Sequence, residues 1–201
     1  MAFFGDAMMT TCLLLLDLQN DIVDADGKLG ASGLAEVVRQ RGVLANARRA
    51  LDAARSRGHM VVHVRVGFRP DYADSLSVAP RVQKLKAAGA AVIGTWGCEF
   101  PQSVAPLPGE VIITKQCVNP FFNTNLLTLL LRRGIAQVVL GGVATNLVVE
   151  STARAADDAG FGVTALEDCC AAPNPEWHRF SVTAMLPLFG SVSDSTTFAA
   201  S

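Results

Sequence analysis

Charge is scarce in this chain, and neither sign prevails. Asp, Glu, Lys and Arg make up 17% of its 201 residues, and the formal net charge is −1. No basic run exists, so neither nucleic acid nor an anionic membrane is implied as a partner. Long apolar runs are missing as well. The longest near the start, Leu13 to Leu16, is far too short to span a bilayer. Asp17 follows it rather than a small-residue cleavage site, which argues against a signal peptide. The five cysteines are an odd number without metal-ligand spacing. They fit reduced thiols in a cytoplasm rather than a disulfide framework. Histidine is limited to His59, His63 and His178, and their spacing makes no metal site. Internal repeats and low-complexity stretches are absent.

What is plentiful is apolar. Half of the residues are hydrophobic, enough for a core beneath two layers of helices in a single domain spanning 1–201. CLLLLDLQND opens with a strand from Cys12 that ends at Asp17. Asp21 to Gly33 is polar and Gly-containing, which predicts a loop. Between Leu34 and Arg57, apolar positions such as Val38, Val43, Ala47, Leu51 and Ala54 recur at helical spacing, and Arg57-Gly58 is a helix stop. Met60 to Val66 is a second strand. Gly67 to Gly97 is long and mixed, as binding loops often are. EVIITK is a third strand ending at Lys115, Thr124 to Arg133 a helix capped by Thr124 or Asn123, and QVVLGG a fourth strand. GVTALEDCCAA supplies a fifth, Pro175 to Leu188 a last helix, and SVSDSTTF the makings of a short edge strand. Repeated βα units imply a three-layer α/β/α sandwich around a mainly parallel, five- or six-stranded, Rossmann-like sheet.

Ligands of such sheets bind beyond the carboxyl ends of the strands. Three features stand there: Asp17 after LLLL, Lys115 after VIIT, and the turn from Gly141 to Val148. In QVVLGGVATNLVVESTARAA, Gln137 to Ala156, a strand gives way to a glycine turn and then to a helix that Thr145 or Asn146 can cap. Backbone N–H groups at such a junction can hold an anion or a developing oxyanion, although an ordinary βα turn binds nothing. A carboxylate and an ammonium that converge in an apolar pocket shift each other's ionisation, which suits proton transfer. A buried structural ion pair would leave the same trace in the sequence.

LLLLDLQND, VIITK followed by FFNTNL, and GGVATNLVVESTARAADDAGF, in that order and spacing, resemble the isochorismatase-like, or cysteine hydrolase, superfamily. The resemblance runs from about Cys12 to about Phe198. It implies the same α/β sandwich, a small-molecule substrate, no cofactor, and a catalytic set of Asp, Lys and Cys. The Asp falls on Asp17 and the Lys on Lys115. The nucleophilic Cys belongs two residues after the Asn of the GVATN turn, where this chain has Val148. Valine offers no nucleophile, so a thioester route cannot run from it. The Asp-x-His metal ligands of nicotinamidases also have no counterpart. Isochorismatases, which cleave a vinyl ether, carry a small residue at the cysteine position. That likeness implies acid catalysis, with Asp17 as the acid, its pKa raised by burial, and Lys115 orienting the substrate or its water. It further implies a non-proline cis peptide near Val143–Ala144, with the backbone at Val143, Ala144 and Val148 around a substrate oxygen.

The same resemblance puts Ile22, Trp96, Phe121 and Phe122 around an apolar pocket, each of which could equally anchor a loop. Arg65 and Arg69 could grip a carboxylate with two prongs. Asn20 and Asn146 suit loop holding and helix capping better than substrate contact. Three functions stay open: a cofactor-free hydrolase using Asp17 and Lys115, a binding or regulatory protein that has lost the chemistry, and an amidase whose nucleophile has moved to Cys117 or Cys98. Leu126 to Leu131 is more apolar than one buried helix face needs, so a homo-oligomer, dimer or tetramer, is expected.

Overall fold

The run of four leucines lies in the middle of a parallel sheet. In this computed structural model, residues 10–30, 33–75 and 77–201 are described. Residues 1–9 of the expected domain, 31–32 of the expected loop and 76 of the long mixed segment lie outside them. Six strands, β1 (Thr10–Leu16), β2 (Met60–Val66), β3 (Val111–Lys115), β4 (Ile135–Val143), β5 (Gly162–Ala171) and β6 (Ser191–Ser193), pair in the order β3-β2-β1-β4-β5-β6. All pairings are parallel.

Successive side chains of a strand point to opposite faces. Leu14 and Leu16 therefore join one core and Leu13 and Leu15 another. The first core is roofed by α5 (Leu126–Arg132) and α6 (Glu150–Asp158), through Leu126, Leu130, Ala153 and Ala156. The second is roofed by α2 (Leu34–Gln40) and α3 (Val43–Ser56), through Val38, Val43, Ala47 and Leu51. A strand covered on both faces needs no polar alternation, which is why it reads as an unbroken leucine run. Each such leucine contributes ~1.5–3 kcal/mol by leaving water.

The chain runs outward from β1 to β2 and β3, then returns to β4 and proceeds the other way. The order reverses between β1 and β4, the kind of boundary where open α/β sheets bind their ligands. The two strands meet closely there. A Cβ on Gly142 would sit 2.2 Å from the Leu16 carbonyl oxygen, so only glycine fits.

Several element boundaries differ from the sequence pattern. The helix expected from Leu34 to Arg57 is two, because Gly42 turns left-handed (φ 65°) between α2 and α3. The helix expected from Thr124 begins at Leu126, and Thr124 Oγ1 accepts from the Leu126 N–H instead of capping an earlier start. The stretch from Pro175 to Leu188 is α7 (Pro175–Phe180), a π turn at Ser181–Met185 and a 3-10 turn at Leu186–Leu188 that contains Pro187. SVSDSTTF is strand only over Ser191–Ser193. Asp194 then caps α8 (Ser195–Ala200) by accepting from the Thr197 N–H. The long mixed segment holds α4 (Pro80–Ala87) and a single bridge between Phe68 and Val92. The short α1 (Asn20–Val23) interrupts the predicted polar loop.

Candidate active site

Parallel pairing sets the carboxyl ends of all strands on one edge. Leu16 is level with Val64 of β2 and Gly142 of β4, and Val66 is level with Lys115 of β3. Asp17 thus follows directly at the centre of that edge, its N–H donating to the Val64 carbonyl at 2.9 Å. Its backbone is left-handed, φ 58°. Asp tolerates that conformation better than most side chains do, and it redirects the chain out of the strand.

Lys115 ends β3, two strand spacings away, or about 9–10 Å. Its long side chain crosses back over β2, and Nζ donates to Asp17 Oδ2 at 2.8 Å and to the Cys117 carbonyl at 3.1 Å. Both groups are buried, Asp17 at 5% and Lys115 at 1% exposure. Burial raises the Asp17 carboxyl above its ordinary value, against the opposing pull of Lys115. The other carboxyl oxygen, Oδ1, has no hydrogen-bond partner among the described residues. A buried polar atom of this kind costs free energy unless something bonds to it.

Beside Asp17, β4 ends in the Val143–Ala144 peptide, which is cis, as the resemblance implied. A single π turn, Thr145–Val149, follows and passes into α6, with the Val149 N–H reaching back to the Ala144 carbonyl at 3.4 Å. Neither Thr145 nor Asn146 caps this helix by its side chain. The Thr145 hydroxyl instead meets His178 Nδ1 at 2.8 Å, and Asn146 Oδ1 is buried without a partner among the described residues. Val148 is 2% exposed and packs in the same core as Leu16, and its carbonyl accepts from Thr152 Oγ1 at 2.6 Å.

The segment after β1 is fixed by its amides. Gln19 exchanges two hydrogen bonds with the backbone of Val66, and Asn20 donates to the Trp96 carbonyl. The remaining candidates do not form one wall. Ile22 packs with the α2–α3 side of the sheet, Phe121 packs on the opposite core and stacks with Phe161, and Trp96 and Phe122 are exposed. Arg65 has partners within the chain. It donates to Thr114 Oγ1 and the Cys98 carbonyl and pairs with Glu99. Arg69 pairs with Asp71 on the surface. Strand-end residues with polar neighbours satisfy one another before any ligand arrives, and the sequence pattern does not show that.

Of the two candidate thiols, Cys98 is buried and donates to the Val66 carbonyl, and Cys117 is half-buried with its thiol on the Asn119 and Phe122 carbonyls. Burial pushes both up from the ordinary thiol value. His63 is a core residue, bonded to Glu110 and edge-on to Phe100. Among the described residues no three His, Cys, Asp or Glu side chains gather as metal ligands, and no helix is long and apolar enough to cross a membrane.

Sequence patterning missed one constellation next to the turn. His178 of α7 contacts Thr145 through Nδ1 and Glu167 of β5 through Nε2 at 2.9 Å, and Arg41 pairs with the same carboxylate at 2.5 Å. The available signal was Glu167, which with Asp168 puts two acids inside a mostly apolar strand pattern.

Comparison with known proteins agrees with this architecture. Residues 11–197 match the isochorismatase domain family. YecD of Escherichia coli O157:H7, an uncharacterised isochorismatase family protein, is 35% identical over 180 residues, covering 89% of this chain and 88% of that protein. The ureidoacrylate amidohydrolase RutB of Acinetobacter baylyi is 31% identical over 206 residues, covering 94% of this chain and 82% of its own length. Among solved structures, an isochorismatase family protein from Desulfovibrio vulgaris superposes with a TM-score of 0.84 at 25% identity, over 96% of this chain and 97% of that one.

Proposed function

The chain belongs to the isochorismatase family of hydrolases, and on that premise we propose that it hydrolyses a small metabolite by acid–base chemistry at Asp17 and Lys115, without a covalent cysteine. The observation that carries this reading is the buried Asp17–Lys115 contact at the carboxyl edge of the sheet, with Asp17 Oδ1 left unbonded among the described residues. That oxygen has hydrogen-bonding capacity that a substrate or a water would fill.

A vinyl ether suits the pair. A protonated Asp17 gives its proton to the enol carbon, and the ether oxygen stabilises the resulting oxocarbenium ion. Water adds to the neighbouring carbon, the one that bears the ether oxygen, and its proton returns to the Asp17 carboxylate. The hemiketal then loses the alcohol to leave a carbonyl. Lys115 holds the carboxyl in place and favours the carboxylate once the proton has gone. C–N hydrolysis is the other bond class within the proposal, in keeping with the amidohydrolase name of one relative. Val148 shapes the wall of the turn.

A nucleophile displaced to Cys117 is the second reading, favoured by the Lys115 contact to its carbonyl. Its raised thiol pKa opposes that role. We also propose a symmetric homo-oligomer, for which the exposed Leu147, Trp177 and Phe180 supply apolar surface. Light scattering checks it.

The deciding experiment screens vinyl ethers, amides and ureides against the wild type, Asp17→Asn and Val148→Ala. Turnover lost in the first variant and kept in the second supports the proposal. Turnover unchanged in Asp17→Asn would sink it, and ligand binding without any turnover would point to a protein that has lost the chemistry.

A further inference from the structure

The π turn that carries Val148 is held from outside by a chain of hydrogen bonds that crosses three elements. Arg41, at the junction of α2 and α3, donates to Glu167 of β5 and, through Nε, to the Cys170 carbonyl at 3.1 Å. Glu167 Oε1 meets His178 Nε2, and His178 Nδ1 meets Thr145 Oγ1. Thr145 is fully buried and His178 nearly so, at 0% and 6% exposure.

The direction of each bond follows from what each group can do. Burial raises the Glu167 carboxyl, but the His178 and Arg41 hydrogen bonds outweigh it and hold the group below its ordinary range. Glu167 is therefore ionised and only accepts. Its partner nitrogen, Nε2, must carry the hydrogen. In a neutral imidazole Nδ1 is then bare and accepts. The Thr145 hydroxyl is thus the donor, and its hydrogen points at the ring.

We propose that His178 is a positioning residue for the candidate active site: its neutral Nε2–H form, oriented by Glu167 and Arg41, fixes the Thr145 hydroxyl and with it the Thr145–Val149 turn. Adding a proton at Nδ1 reverses the last bond. Thr145 must then accept, and its own hydrogen needs a new acceptor at a fully buried position. Protonation of one ring therefore loosens the turn beside Asp17. Burial lowers the His178 imidazole below its ordinary value, with Glu167 pulling the other way, so the neutral form is the resting one. The groups facing the ring are Glu167 from β5 and Arg41. Arg179 of its own helix opens on the same cavity, of about 380 Å³, which brings solvent protons to the ring. The turn itself contributes no ionisable side chain.

The bearing of this device on turnover rests on the hydrolase proposal, but the contact can be tested without any substrate. In the 15N-labelled full chain, the His178 imidazole nitrogens and the amides of Thr145 to Val149 are followed from pH 8 to pH 5 in the wild type, Thr145→Val, Thr145→Ser and Glu167→Gln. The expected result is an Nε2–H tautomer at pH 8 and turn amides that shift together with the ring as it titrates. In Thr145→Val the ring still titrates but the turn amides no longer follow. Thr145→Ser restores the coupling, and Glu167→Gln moves the midpoint to lower pH. Turn amides that stay still while His178 titrates, or that respond equally in Thr145→Val, would overturn the proposal. Once a turnover substrate is in hand, Thr145→Val should lower kcat more than it changes KM, with rescue by Thr145→Ser. Coupled amides in a protein without turnover would leave His178 as the positioning residue and remove only the hydrolase reading.

Discussion

Lys115 Nζ donates to Asp17 Oδ2 at 2.8 Å across 98 residues of sequence, with strand β2 lying between their two strands. The sheet makes this possible. Parallel strands end on one edge, and the lysine side chain is long enough to reach back over its neighbour. Two groups that would each be costly to bury alone offset one another there.

Removing one partner should therefore be worse than removing both. Lys115→Met is expected to cost about 3–5 kcal/mol, the range found when a buried pair is broken on one side. Adding Asp17→Asn should recover much of that loss. Urea unfolding of the single and double variants measures it. A double variant as unstable as Lys115→Met alone would show that the two groups are not coupled.

Asp17→Asn alone should lower kcat/KM by about 10²–10⁴-fold, the usual worth of a positioned acid or base. Val148→Ala should keep turnover and lose about 2 kcal/mol of stability, from two buried methyl groups and the small cavity left behind. A Val148→Ala variant with full stability and no turnover would give that side chain a chemical role.

The pH dependence has a definite sign. Burial raises the Asp17 carboxyl above its unfolded value. The folded state then holds a proton that the unfolded chain has released. Its contribution to stability is fully present below the ordinary Asp pKa and is lost as pH rises through the raised one. An acid catalyst works in the protonated form, so turnover should fall over the same window. Asp17→Asn should lack that stability limb in melts taken across the pH range.

Alkylation separates the two nucleophile readings. Cys117 is the least buried of the five cysteines, and its raised pKa makes it slow to react at neutral pH. Full modification of Cys117, confirmed by intact mass, should leave hydrolysis in place, as should Cys117→Ser. Loss of turnover in both would move the chemistry to that thiol.

Gly142→Ala tests the strand contact. Its Cβ would lie 2.2 Å from the Leu16 carbonyl oxygen. The crowding atoms are the Leu16 carbonyl group and Cβ, which cannot swing aside, so a cost of about 3 kcal/mol is expected, the upper part of the overpacking range. A shift in thermal midpoint reads it out.

The parallel sheet was legible because an unbroken apolar run such as LLLL suits a strand covered on both faces, and because glycine closes the helices. The Asp17–Lys115 meeting was legible too, since parallel strands leave their carboxyl ends together. The break at Gly42 was visible only as a gap in the apolar spacing around Arg39 to Arg41. What could not be read were partners chosen by tertiary packing. Arg65 turned to Thr114 and Glu99 instead of staying open, and Thr145 turned to His178 instead of capping its own helix. Each exchanged a local bond, or an open position, for a distant one.

The left-handed backbone at Asp17 has a practical outcome for anyone changing this residue. Asparagine settles into such a conformation about as readily as aspartate does, whereas alanine or a branched residue is forced into it. Swapping oxygen for nitrogen at this corner edits the proton inventory and leaves the path of the chain alone. Any bulkier or simpler replacement confounds a lost acid with a bent main chain.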